Sequence, residues 1–488
     1  MIKYIIGTLI LSTLLCGEIL AHSDNPKFHV IIDTDGAIDD MRSISMLLAS
    51  DDIRTIAITC SQGTLLPENV YNKINSLLSI FHHEGIPIGI SNKVNYELPP
   101  WESFAKNIQW GNHIDTQNFD FKQKSTEILN NAIENYSKKV TLIALGSLNT
   151  YAQWLRSNPN NIDRIERIIW YNNRIVESGF NYKVSPESYQ YIKQSGISLE
   201  IITNNTNDLP VNENYLNQIR VANSIYAKQI ELVHTQTSIV DRINEQHLHL
   251  RDDLVPLYLT MSILFDVEIR DNVKFAVINP QIPSEFVYET ISKVLESANT
   301  IKNRVFKTFP IDTTLYLPEY AKIMNSTIEN FGLKEWKAIS LTNEIHGHTG
   351  IYSIIGAKMG MRAMEYFNVG VNDIEVITFA GKKPPLSCFN DGIQISTGAT
   401  IGQGLITISD SISDIPSAIF KFNNQQVNIS LKADIAKQMQ NEIKYGIDTY
   451  GFLTDKYWLY IEKLAIKYWA DYDRLEILTV KKANCFNR

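Results

Sequence analysis

The chain has 488 residues, with 45 basic against 53 acidic side chains for a formal net charge of −8, a hydrophobic fraction of 44% and a charged fraction of 20%. That composition is ordinary for a globular protein, and the length is too great for one small core, so two or three domains are expected. An acidic balance without a basic stripe excludes a general nucleic-acid binder.

Residues 1–21 read as an export signal. Lys3 gives a positive start, Tyr4 to Cys16 form an apolar stretch, and Ile19-Leu20-Ala21 offers a small residue for cleavage before the polar segment that follows. An uncleaved anchor is the alternative, but the run is short for a spanning helix, and no other segment reads as transmembrane. Leu15 is larger than lipoprotein sites usually accept before a cysteine, which argues against lipid anchoring at Cys16. The expected location is periplasmic or secreted, with no stable membrane insertion after signal cleavage. Removal of Cys16 leaves Cys60, Cys388 and Cys485, which is no disulfide framework and keeps Cys388 available as a ligand.

Chemistry begins at Phe28-His-Val-Ile-Ile-Asp33-Thr-Asp35-Gly-Ala-Ile-Asp39-Asp40. Val30, Ile31 and Ile32 suit a strand buried on both faces of a parallel sheet, Gly36 a tight turn, and the spacing of Met41, Ile44 and Leu48 a helix. The acids therefore gather at the carboxyl end of a strand, where open α/β sheets hold ligands. Four like charges so close repel one another unless a cation or a polar ligand sits among them. Further strands are predicted at Ile53–Thr59, Ile86–Ile90, Val140–Leu145, Ile165–Tyr171 and Leu199–Thr203, with helices between them from Pro67, around Thr126–Ser137 and from Pro186. Such alternation predicts a mostly parallel sheet with helices on both faces and right-handed crossovers. A second acidic cluster, Arg251-Asp252-Asp253, opens a helix, where simple capping is the alternative to ligation. Residues 24–332 are expected to form this first unit. Residues 333–488 form a smaller α+β one, whose aromatic, helically spaced stretch from Lys432 to Tyr472 packs on its core.

Asp33-Thr-Asp35-Gly-Ala-Ile-Asp39-Asp40 resembles the D-x-D-x-x-x-D-D signature of the inosine-uridine nucleoside hydrolases. Val140-Thr-Leu-Ile-Ala-Leu145-Gly-Ser-Leu-Asn149 resembles the family's V-T-L-V-P-T-G-P-L-T stretch. Phe180-Asn181 with Ser185-Pro-Glu187 resembles E-F-N…D-P-E, and Arg251-Asp252-Asp253-Leu254 falls where the family has H-D-P-L. The resemblance implies an N-glycosidic hydrolase of nucleoside or ribosyl substrates that depends on calcium. Asp35, Asp40, Asp252 and the backbone carbonyl of Leu145 would hold the ion, and Asp35 would be the base for the metal-bound water attacking ribose C1′. Asp39 and Asn181 would contact the sugar, and Asp33 would orient its neighbours. Three carboxylates, a carbonyl and waters suit the six to eight oxygens that calcium takes. Relatives of this unit are commonly dimers or tetramers, so a homo-oligomer is an expected assembly. The departures lie in the pocket: Arg251 replaces a proton-donating His, Gly179 replaces the Glu before Phe-Asn, and Asn172-Asn173 replace a glycine pair. Arginine is a poor proton donor, which leaves His247 and His249 as nearby candidates and keeps open a ribose-like ligand-binding protein with little or no turnover. Asp33-Thr-Asp35-Gly36 also resembles the start of haloacid dehalogenase-type phosphatases, but Ala37 stands where those enzymes have Thr and no convincing lysine follows the middle strands.

In the second unit, Glu344-Ile-His346-Gly-His348-Thr-Gly350 precedes a helical pattern over Ile351–Tyr366, and Cys388-Phe-Asn-Asp391-Gly-Ile-Gln394 leads to Thr397-Gly-Ala-Thr-Ile-Gly402. These residues resemble the FmdE family of formylmethanofuran dehydrogenase components, and the resemblance implies a transition-metal site, often zinc. His346, His348 and Cys388 are a plausible nitrogen/sulfur set, with Asp391 behind them. The alternative is that His346-Gly-His348 caps a helix and Cys388 is a buried thiol.

Overall fold

A computed structural model of the chain describes residues 26–111, 123–203, 209–301 and 303–482. The export-signal reading, Cys16 and Cys485 lie outside the described residues. Among those described, no helix is long and apolar enough to cross a membrane.

Eight strands form the first sheet: β1 (Phe28–Thr34), β2 (Ile53–Cys60), β3 (Ile88–Ile90), β4 (Val140–Ala144), β5 (Ile165–Tyr171), β6 (Leu199–Ile202), β7 (Phe265–Arg270) and β8 (Val273–Ile278). Their order is β3-β2-β1-β4-β5-β6-β8-β7, parallel throughout except for the β7/β8 hairpin. Every residue of β2 and β4 is buried, and β1 is buried beyond Phe28, because helices cover both faces. Two apolar cores result, one on each face of the sheet. One gathers Val30, Ile32, Met41, Ile44 and Leu47; the other gathers Ile31, Ala57, Leu142, Trp154 and Trp170. Adjacent β1 residues alternate between the two, as the period of a strand requires. The chain winds outward from β1 through β2 and β3, then crosses back to β4 on the other side of β1. This reversal opens a crevice at the carboxyl ends of β1 and β4.

A second sheet holds β9 (Glu375–Thr378), β10 (Ile406–Ile408), β11 (Ser417–Phe422), β12 (Gln425–Leu431) and β13 (Leu478–Lys482) in the order β10-β9-β11-β12-β13. Helices Ile351–Phe367, Ala433–Tyr450 and Asp455–Ala470 accompany it. The smaller α+β unit is as expected, although β9 alone among its strands stands out in the sequence pattern. Its core includes Phe309 and Met324 as well as Trp336. The helix Pro318–Phe331 therefore packs with the second unit, not with the first as a division at 332/333 requires, because its apolar side meets that core.

The two units meet at the amino ends of the first sheet's strands. Arg54, at the start of β2, pairs with Asp373 at 2.7 Å, and the amide of Gly85, leading into β3, donates to the Tyr366 carbonyl at 2.8 Å. Arg362 reaches Glu84 at 3.0 Å and the carbonyl of His82 at 3.1 Å. The second unit thus docks on the end of the sheet away from the crevice.

Candidate active site

Parallel register brings the acids level. Asp33 of β1 stands beside Thr59 of β2 and Ala144 of β4, the Leu145 amide donates to the Asp33 carbonyl at 2.9 Å, and the Ser61 amide donates to that of Thr34 at 2.9 Å. The Asp33 carboxylate accepts from the hydroxyls of Thr59 (2.6 Å) and Ser61 (2.7 Å), so it braces the strand ends and faces no ligand. Asp35 follows on the turn. Gly63 lies so close that a Cβ there would sit 2.1 Å from Asp35 Oδ2, so any side chain at 63 would displace the carboxylate. Asp39 and Asp40 occupy the first turn of the helix Ile38–Ala49, whose dipole favours acids. Asp40 Oδ2 accepts from the Thr34 hydroxyl at 2.6 Å and from the amides of Asp35 and Gly36 at 3.0 and 3.2 Å.

Asp252 arrives from 212 residues beyond Asp40, and its loop has its own anchor. Arg42, fully buried on the helix that carries Asp39 and Asp40, forms a two-pronged pair with Asp253, with both bonds at 2.8 Å, and donates to the His249 carbonyl at 3.1 Å. Asp253 makes no side-chain cap to the helix Leu254–Thr260. Its carboxylate serves Arg42, so helix capping is not the role of this cluster. Sequence reasoning singles out neither Arg42 nor this use of Asp253. The available signal is a lone arginine between Met41 and Ile44 on a helix whose apolar spacing marks it as packed against the sheet.

Ligand oxygens of Asp39, Asp40 and Asp252 lie within 4.8 Å of one another. Asp35 Oδ1 and Asp252 Oδ1 are buried without a hydrogen-bond partner, an arrangement that asks for a cation. Burial, with the charge of Asp39 added, pushes the Asp35 carboxyl up to about 7, while Thr64 hydrogen bonds oppose the rise. Asp40 and Asp252 are held well above the usual carboxylate range, by burial first and then by each other's neighbours: Asp35 and Asp39 act on both, and Asp40 on Asp252. Asp33 also rises to about 7, mainly from burial. The raised carboxyls of Asp35, Asp40 and Asp252, with Asp39 beside them, fit a hard, oxygen-seeking cation.

All six first-unit candidates, Asp35, Asp39, Asp40, Leu145, Asn181 and Asp252, line one cavity of about 970 Å³. An oxygen of Asp39 lies in the tight cluster with those of Asp40 and Asp252, while Asp35 accepts hydrogen bonds from Thr64 and keeps Oδ1 unpartnered. Asn181 donates its amide to the Leu145 carbonyl at 2.8 Å and to that of Tyr171 at 3.1 Å, so it positions the candidate carbonyl ligand. The cavity's walls come from segments to which the sequence pattern assigns no role: Tyr96 and Trp101 pack on Phe180 with ring centroids 5.9 and 5.2 Å apart. Gly179 and Asn172 prove to be coupled. A Cβ at 179 would fall 1.8 Å from Asn172 Oδ1, so the asparagine occupies the space vacated by the missing glutamate.

The second set behaves differently. His346 Nδ1 pairs with Asp391 Oδ2 at 2.8 Å, and its Nε2 is buried without a partner, which is the disposition of an imidazole ready to ligate. Its ring lies 4.3 Å from that of His348, which packs against Trp458. Among the described residues, however, the sole group of three or more His, Cys, Asp or Glu donors within 4.8 Å is the aspartate one. His346, His348 and Cys388 are not brought together as a set. Cys388 begins the turn into the helix Phe389–Thr397, and it is Asp391 that reaches His346. Gly347 ends the helix Leu333–His346 in a left-handed conformation (φ 78°), so the helix-stop alternative holds for that glycine.

Residues 30–302 match the family model of the inosine-uridine preferring nucleoside hydrolases, and residues 345–452 match that of FmdE, from the molybdenum formylmethanofuran dehydrogenase operon. Among curated proteins, the chain is 26% identical over 185 residues to the pyrimidine-specific ribonucleoside hydrolase RihA of Shewanella baltica. It is 27% identical over 182 residues to that of Salmonella agona. The matched stretch is 35% and 34% of this chain and spans 57% of each relative's length. Among solved structures, a purine-preferring ribonucleoside hydrolase from Gardnerella vaginalis aligns over 55% of this chain and 99% of its own, with 15% identity and a TM-score of 0.47. A Bacillus anthracis inosine-uridine preferring nucleoside hydrolase covers the same shares with 16% identity and a TM-score of 0.44.

Proposed function

The chain belongs to the inosine-uridine preferring nucleoside hydrolase family, and from that premise we propose that its first unit hydrolyses the N-glycosidic bond of a ribosyl compound, with a calcium ion held by Asp35, Asp40, Asp252 and the Leu145 carbonyl. The observation that carries this reading is the convergence of four carboxylates on one cavity floor, two of them with buried, unpartnered oxygens. When bound, the ion supplies a fixed positive charge that offsets the carboxylates, orients a sugar diol and acidifies a neighbouring water.

The chain's own groups do the rest. Asp35, kept ionised by the cation it would help hold, keeps an unpartnered oxygen on the cavity floor and accepts the proton of the attacking water. Asp39, half-buried at the cavity edge of the cluster, accepts hydrogen bonds from ribose hydroxyls and so holds C1′ in line. Positive charge that develops on the sugar ring as the bond breaks is stabilised by the surrounding carboxylates. Asn181 fixes the direction of the Leu145 carbonyl. The wall of Tyr96, Trp101 and Phe180 stacks on a planar leaving group and excludes water. Arg251 cannot give that group a proton, whereas His247 and His249 line the same cavity and can.

The test is a panel of ribonucleosides incubated with calcium or with a chelator. Free base and ribose released only with calcium is the expected result. Ribose bound with no product in calcium would turn the reading toward a binding protein, and phosphate release from phosphorylated sugars toward a phosphatase.

A further inference from the structure

We infer that the mouth of the cavity binds an oxyanion carried by the ribosyl compound, away from the diol that the acidic floor addresses. This inference rests on the hydrolase reading above and names the class of substrate for the same site. Charge in the cavity is segregated. The aspartates hold the floor, while Lys183, Arg242 and Arg251 line the outer part of the same wall. Lys183 and Arg251 are exposed and Arg242 is half-buried.

Among the described residues these three side chains make no ion pair. Three arginines elsewhere do: Arg220 with Glu213 and Glu231, Arg270 with Glu268, and Arg174 with Glu268. Arg242 is nevertheless held, with its guanidinium 4.9 Å from the centroid of the Phe104 ring. A stacked guanidinium keeps its edge donors free and loses less entropy on forming a bidentate bond to a carboxylate or phosphate. One acid of the lining, Glu97, lies outside the floor, so the outer wall remains net positive.

Size points the same way. A cavity of about 970 Å³ stands at the top of the roughly 300–1,000 Å³ range of small-molecule sites, leaving room beyond an unsubstituted nucleoside. Two sources supply the same chemistry: a phosphate on the 5′ carbon of the ribose, or a carboxylate on the leaving base.

The experiment compares kcat/KM for uridine, uridine 5′-monophosphate and orotidine with calcium present, in wild type and in the Arg242→Met/Arg251→Met variant, with melting curves to establish that the variant is folded. One anionic substrate is expected to be preferred over uridine by about tenfold or more, as charge-assisted hydrogen bonds imply. That preference should shrink severalfold in the variant and at about 0.5 M salt, where charges are screened within a few ångströms. Which of the two substrates is preferred identifies the source. Uridine equal to or better than both, or a preference that the variant leaves intact, would overturn the inference. If none of the three is hydrolysed, the hydrolase reading fails, and calorimetry decides the oxyanion site: weaker binding of the two anionic compounds to the variant than to wild type supports it, and equal or absent binding overturns it.

Discussion

The aspartate cluster and the His/Cys set are both assembled from distant segments, yet only the first converges. Asp35, Asp39 and Asp40 stand where strands β1, β2 and β4 end in register, and the remote member, Asp252, is tethered by the Arg42–Asp253 pair at 2.8 Å with both partners fully buried. In the second unit, His346 and His348 flank a helix stop, and Cys388 begins the turn into another helix, with Asp391 taking the contact with His346. A distant ligand is delivered by something that fixes its loop, and ligand-type residues at suitable spacing do not by themselves supply that.

Two substitutions in the first unit probe this difference. Asp35→Asn has the largest expected effect: it removes the base while keeping an oxygen in the cage, so kcat should fall about a thousandfold, within the range for a lost general base. In chelator the variant should melt no lower than wild type, because one of the crowded, mutually repelling carboxylates has gone. A rate near wild type would reject Asp35 as the base. Next is the tether itself. Arg42→Met leaves the Asp253 charge buried without its partner, which should cost about 3–5 kcal/mol, read by denaturant unfolding. It should also raise the calcium concentration needed for half-maximal activity as Asp252 loses its fixed position. Unchanged calcium dependence in a folded variant would show that Asp252 is held by other means.

The same contrast explains what is legible in the sequence. Runs such as Val30-Ile31-Ile32 and Val140–Ile143 are buried on both faces, which leaves little ambiguity of state, and the acids' place at the strand ends follows from the parallel order. The floor is therefore readable. The walls are not. Tyr96, Trp101 and Phe104 lie on a loop and a short helix whose path is set by contacts with Phe180 and Arg242, and no periodicity announces those. Gly179 and Asn172 each read as a loss when taken singly. Only the 1.8 Å approach shows one filling the space of the other. Asn181 reads as a sugar contact until the Leu145 and Tyr171 carbonyls are seen to occupy its amide. In the second sheet, β11 and β12 are harder to read because they are only half-buried and set Ser, Lys, Gln and Asn among their apolar residues.

The smallest expected effects are in the second unit. If its His pair takes up a transition metal, His346→Ala should lower the metal content of the purified protein, because the unpartnered Nε2 is the atom placed to ligate, while Cys388→Ser should change that content little. An equal drop from Cys388→Ser would mean that the turn carrying it moves to join the histidines on loading. Neither substitution should alter nucleoside hydrolysis by more than about twofold, the size of a surface-type perturbation of under ~0.5 kcal/mol. The reason is geometric. The histidines lie at the amino end of the helix Ile351–Phe367, and the carboxyl end of that helix docks, through Arg362 and Tyr366, on the amino ends of the first sheet's strands. Seventeen helical residues span about 25 Å, and the depth of the first sheet then separates the dock from the aspartates at its opposite end. A rate that followed metal loading at His346 would require that helix to carry a displacement into the Arg362–Glu84 contact. Substituting Arg362 would then uncouple the two sites, leaving the rate indifferent to the metal.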